Sequence, residues 1–163
     1  MLELGDGHGV GNGVGVGTST TTSFTDFPLA QNTAYLYVVH ARIGTAESGD
    51  SPRDFATTVM FDGLQPAIRA VDVTSLRTAV RALRSLAALP PFAFTDPDDN
   101  TLPGLAAKGI HIQQLREAVN QARTTLGFPA VTFTDPNVDP ATNGGQHLPI
   151  RSVHITELRG AVQ

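Results

Sequence analysis

One motif returns three times along this chain, and that return limits the possible folds more than any other property. The units read Ile68-Arg-Ala-Val-Asp-Val-Thr-Ser-Leu-Arg-Thr-Ala-Val80, Ala107-Lys-Gly-Ile-His-Ile-Gln-Gln-Leu-Arg-Glu-Ala-Val119 and Ile150-Arg-Ser-Val-His-Ile-Thr-Glu-Leu-Arg-Gly-Ala-Val162. Their Leu-Arg-x-Ala-Val core starts at Leu76, Leu115 and Leu158, spacings of 39 and 43 residues. Phe94-Thr95-Asp96-Pro97 and Phe133-Thr134-Asp135-Pro136 follow the first two leucines at one fixed distance. Register held this closely marks a duplicated structural unit. The extra residues of the last spacing fall around Asn143-Gly144-Gly145, where lengthening a loop costs little.

Each unit predicts one helix. Val73, Leu76, Val80, Leu83 and Ala87 recur at three and four, as do Ile112, Leu115, Val119, Ala122 and Leu126. Helices are expected over roughly 71–88 and 111–126, stopped by Pro90 and Gly127, with a shorter one from about 153. A short extended piece then leads to each Asp-Pro turn, Phe92–Phe94 in the first unit and Val131–Phe133 in the second. The third unit ends at Gln163 before any such piece.

Upstream the signals change. Glycine occupies every odd position from Gly5 to Gly17, which predicts a mobile leader over 1–17 and cannot supply the offset of a GxGxxG fingerprint. Residues 18–62 are rich in β-branched and aromatic side chains, with strand runs at Thr20–Asp26, Ala34–Ile43 and Asp54–Phe61. The middle run is apolar on both faces, so its second face is expected to pack on the helices. The fold class is therefore α+β: an antiparallel β-meander, then three helix-plus-short-strand repeats over 63–163.

Two resemblances attach to these residues. Thr21-Thr22-Ser23-Phe24-Thr25-Asp26, Leu29 with Tyr35 after it, Tyr35-x-Tyr37-x-Val39-x-Ala41 and Phe55–Val59 resemble the C-terminal half of a fibronectin type III domain over roughly 14–60. The units from residue 68 resemble helical His-Ile-x-Glu-Leu-Arg repeats of large secreted bacterial proteins. Together the resemblances imply a secreted, non-catalytic structural or interaction module. An uncovered edge on the half-meander, and a third unit lacking its exit, imply self-association with other protein chains as a homo-oligomer.

Chemistry is sparsely signalled. The net charge of −4 gives no drive toward phosphate backbones, so nucleic acid is not an expected partner. No apolar run reaches the length of a membrane span, and the absence of cysteine excludes disulfides and thiolate sites. Asp72, His111 and His154 occupy one repeat position. Successive units would set them about 10 Å apart, too far to share an ion with ~2 Å bonds. They are read instead as helix starts facing Ser75, Gln114 and Glu157 three residues on. Arg77, Arg116 and Arg159 are read as boundary arginines that cover the core edge and bond loop carbonyls. Asp96-x-Asp98-x-Asn100 and Asp135-x-Asn137-x-Asp139 show the alternating oxygen spacing of calcium loops, although neither has glycine at its sixth position. Calcium is thus the one candidate cofactor. The alternatives to a structural module are a calcium-stabilised adhesion or carbohydrate-binding accessory module, and a small hydrolase. No catalytic residue stands out: Gly-x-Ser-x-Gly and His-Glu-x-x-His are both missing, and His8, His40 and His147 are isolated.

Overall fold

Strand β3, Ala34–Ile43, organises the N-terminal part because its β-branched and aromatic run can be paired on both edges. The computed structural model describes residues 2–6, 14–63, 67–96, 106–141, 144–146 and 148–163. β1, Leu2–Asp6, lies antiparallel on one edge of β3, with Leu2 opposite Ala41 and Asp6 opposite Tyr37. β2, Val14–Ser19, pairs with the far side of β1. β4, Ala46–Glu47, and β5, Asp54–Thr57, return along the other edge of β3. Between these two short strands the ladder is kept by serines. Ser48 and Ser51 donate their N–H groups to Ala41 and Val39, and their Oγ atoms accept the N–H groups of the same residues.

The glycine tract, expected to be a mobile leader, thus contains two paired strands; residues 7–13 lie outside the described residues. The strand expected at Thr20–Asp26 is not formed. Local hydrogen bonds take its place: Ser19 Oγ and Thr21 Oγ1 both donate to the Ser23 carbonyl, and Thr21 N–H donates to Ser19 Oγ. Such side-chain bonds compete with a ladder for the same backbone groups. Segment 20–33 instead folds over the outer face of β3. There Ala30 N–H donates to Tyr35 Oη at 2.9 Å, and Tyr37 Oη donates to Asp26 at 3.0 Å.

The inner face meets the helices, as the two-sided apolar pattern of β3 predicts. Ala34, Leu36, Phe55 and Val59 join one apolar cluster with Val73, Leu76, Leu83, Ile112, Leu115, Ile155 and Leu158. Phe55 meets Phe128 edge-on with ring centroids 4.9 Å apart, which pins β5 to the end of the second helix. The helices are α1, Ala70–Leu86, α2, Gly109–Thr125, and α3, Ser152–Ala161. Each packs against the other two, and α1 also packs on β3 and β5. At every turn the periodic residues face inward, because burying that stripe is what stabilises an amphipathic helix.

The exit pieces Phe92–Phe94 and Val131–Phe133, expected as short strands, form none and pair with no strand among the described residues. Side chains from the helices hold them instead.

Candidate functional site

The helix starts show what the repeat is for. In α2 the His111 N–H donates to the Lys108 carbonyl, and Lys108 N–H donates back to His111 Nδ1 at 3.2 Å. In α3 the same exchange joins Arg151 and His154 at 3.2 Å. α1 uses a carboxylate, with Arg69 N–H donating to Asp72 Oδ2 at 2.9 Å. The histidines therefore sit at the third helical position and satisfy the cap's backbone donor, as Glu or Gln does in a capping box. The sequence reading placed them at the cap itself, with Gln114 and Glu157 answering. Those residues do something else. Gln114 bonds both the N–H and the hydroxyl of Thr95, and Glu157 accepts from both groups of Thr134.

With Nδ1 accepting a backbone N–H, each ring carries its proton on Nε2. That atom points at a carboxylate: His111 Nε2 lies 3.0 Å from Asp96 Oδ2, and His154 Nε2 lies 3.0 Å from Asp135 Oδ2. Lys108 Nζ reaches the same Asp96 oxygen at 2.6 Å, and Arg151 donates to Asp135. Both imidazoles are fully buried. Burial lowers the His111 pKa below the ordinary 6.5, although Asp96 pulls the other way. Asp96 is held below its ordinary 3.8, first by the Lys108 hydrogen bond and then by His111; for Asp135 the order is His154, then Arg151.

The backbone of each turn is gripped from the other side. Arg77 donates from Nη1 to the Asp96 carbonyl and from Nη2 to that of Thr95, both at 2.6 Å. Arg116 repeats this on Asp135 and Thr134 at 2.6 and 2.7 Å. Each guanidinium lies over the phenyl ring of its own exit piece, Arg77 at 4.7 Å from Phe94 and Arg116 at 4.9 Å from Phe133. The planar fork matches two successive carbonyls, and its weak hydration suits a buried place. Asp96 and Asp135 adopt φ of +52° and +50°, a left-handed conformation that aspartate tolerates better than most residues. Each exit turn is thus a clasp. An arginine of one helix holds its carbonyls, and a histidine of the next holds its carboxylate.

Arg159 grips a piece that lies ahead of α1. Arg159 lies 4.9 Å from the Phe61 ring and donates to the Asp62 carbonyl at 2.7 Å and to Asp72 Oδ1 at 3.0 Å. Phe61-Asp62 therefore does for α3 what Phe94-Thr95-Asp96 does for α1, and the three helices close on themselves.

Two further sets escaped the sequence reading, though their spacing was there to see. Arg84 and Arg123 stand seven residues beyond Arg77 and Arg116. Arg84 donates to the Pro90 carbonyl and to Gln121 of α2; Arg123 donates to the Pro129 carbonyl and to the Ala161 carbonyl of α3. Arg69, Lys108 and Arg151, each eight residues before the clasp arginine, are the caps whose side chains approach Asp62, Asp96 and Asp135.

Of the calcium-loop candidates, Asp98 and Asn100 lie outside the described residues. Asp96 and Asp135 spend their carboxylates on an imidazole and a cation. Asn137 is exposed, while Asp139 is buried and accepts the Ala141 N–H at 3.2 Å in a local turn. Among the described residues no three His, Asp or Glu side chains gather as a metal site, and no helix is long and apolar enough to cross a membrane. No family model, curated protein or solved structure matches the chain.

Proposed function

We propose that the chain is a non-catalytic structural module, built from a fibronectin-like half-meander and three copies of one helical unit, of the kind that spaces or attaches parts of a secreted bacterial protein. The observation that carries this reading is the use of the chemically capable side chains. Arg77, Arg116, Arg159, His111, His154, Asp72, Asp96 and Asp135 are each bonded to a neighbouring unit or turn. A side chain held on both sides by structural partners is poorly placed to exchange a proton with a substrate. Identical recurrence in unit after unit suits a joint between repeats, where each copy solves the same packing problem.

Self-association belongs to the same reading. β1 pairs with β3, so among the described residues the edge strand at that end is β2, whose Val14-Gly15-Val16-Gly17-Thr18-Ser19 run contains neither charge nor proline. Edges of that composition pair with copies of themselves. Turnover assays on ester, glycoside and phosphoester substrates test the non-catalytic claim, with Asp96→Asn as the control. Activity that vanishes in Asp96→Asn while circular dichroism is unchanged would replace it with the hydrolase alternative. In sedimentation velocity the protein is expected to associate at micromolar concentration and Thr18→Lys to be monomeric; a monomeric parent protein removes the self-association half.

A further inference from the structure

We propose that His111 forms an acid-sensitive clasp: a proton taken up on Nδ1 displaces the cap N–H that this atom now accepts, and the exit turn at Asp96 comes away from the helix that follows it. Each imidazole has both nitrogens committed, Nδ1 to a backbone donor and Nε2 to a carboxylate. The neutral ring fits that arrangement. The cation does not, because Nδ1–H would face Lys108 N–H or Arg151 N–H donor to donor.

The surrounding charges act in the same direction. His111 is faced by Asp96 from the exit turn, by Lys108 at the start of its own helix, and by Arg77 from α1. Protonation would set three cations around one carboxylate. His154 is faced by Asp135 and Arg151, with Arg116 of α2 gripping the same turn and ion-paired to Glu157 on α3. In α1 the corresponding residue is Asp72, which accepts from Arg69 and Arg159 without any imidazole. Acid therefore opens the joint at His111 and leaves the ring closure at Asp72 in place.

Burial keeps folded His111 neutral below its ordinary 6.5, whereas the unfolded chain takes the proton near that value. Its contribution to stability is complete above pH 6.5. It is lost progressively as the pH falls below that value, until the folded ring protonates as well.

The test is the melting temperature from pH 7.5 to 5.0 for the wild-type chain and for His111→Gln. Glutamine at the third helical position offers the same cap an acceptor that takes up no proton. The wild-type chain is expected to lose roughly 5 °C more across this range than the variant does. Below pH 4 both should fall together, as Asp96 and Asp135 leave their depressed range. A flat wild-type profile, or equal slopes in the two proteins, overturns the proposal. If the variant does not fold, the His111 ring signals in the wild-type chain decide: the ring should still be neutral below its ordinary 6.5, and an ordinary titration of that ring would sink the clasp.

Discussion

Ala88 and Gly127 occupy one station in successive units, the first residue beyond the cap at the end of α1 and of α2. Both are left-handed, at φ +52° and +86°. The loop closes alike in each case: Ala88 N–H bonds the Ser85 carbonyl and Leu89 N–H that of Arg84, while Gly127 and Phe128 bond Thr124 and Arg123. This is a Schellman ending, and glycine suits it because a Cβ there crowds the backbone. Ala88→Gly is therefore expected to stabilise the protein by about 0.5–1 kcal/mol in denaturant unfolding. The reverse change, Gly127→Ala, should cost about 1–2 kcal/mol, since the new Cβ is strained and also sits 3.3 Å from Arg53 Nη2. A loss of stability in Ala88→Gly would mean that the loop, not the helix end, fixes this conformation. Gly109 is constrained differently. A Cβ there would lie 2.2 Å from the Val138 carbonyl, so Gly109→Ala must push the second exit loop off the start of α2.

Each exit piece is an element without a partner strand, and one guanidinium grips the two carbonyls at its end. Replacing Arg116 with lysine keeps the charge and loses the fork, leaving one of the Thr134 and Asp135 carbonyls without its donor. Arg116→Lys is expected to cost about 2–3 kcal/mol, in the range of hydrogen bonds to charged groups. Deleting buried packing in the same helix by Leu115→Ala should cost about 2–5 kcal/mol. The two losses can be told apart by exchange of the Thr134 and Asp135 amides, which Arg116→Lys alone should accelerate selectively. Much of this element was legible in advance. The three-and-four spacing of Leu76, Val80 and Leu83 placed the helices to within two residues, and the recurrence of Arg77 and Arg116 pointed to loop carbonyls. The role of His111 was not legible, because histidine is a rare answer to a cap and its acceptor nitrogen is fixed only once Asp96 occupies the other one. Thr20–Asp26 misled for a related reason: threonine favours strands by composition, but here Thr21 and its serine neighbours bond their own turn.

At the scale of the molecule the question is whether three units closed into a ring behave differently from three in a row. An open array would leave Arg159 and the outer face of α3 uncovered, and sequence alone gives no reason to look for their partner a hundred residues upstream. Phe61-Asp62 is one residue shorter than Phe94-Thr95-Asp96 and carries no Pro after it, so it does not declare itself as an exit piece. Geometry identifies it, through the Arg159 bonds to the Asp62 carbonyl and to the buried Asp72 carboxylate. Closure at this point ties the segment after the sheet to the last helix, and α1 is held from both flanks. A double-mutant cycle on Asp72→Asn and Arg159→Gln measures the joint. Each single change strands a buried polar partner, so the two losses should not add, and a coupling of about 1–3 kcal/mol is expected. A control cycle between Asp72→Asn and Arg116→Lys, which have no bond in common, should be additive within about 0.5 kcal/mol. Additive losses for the closing pair would mean that α3 merely rests against α1, and the module would then unfold as an open array, from the α3 end inward. Non-additive losses in a single cooperative transition would show that the ring is the folding unit, with the sheet and the last helix stabilised together.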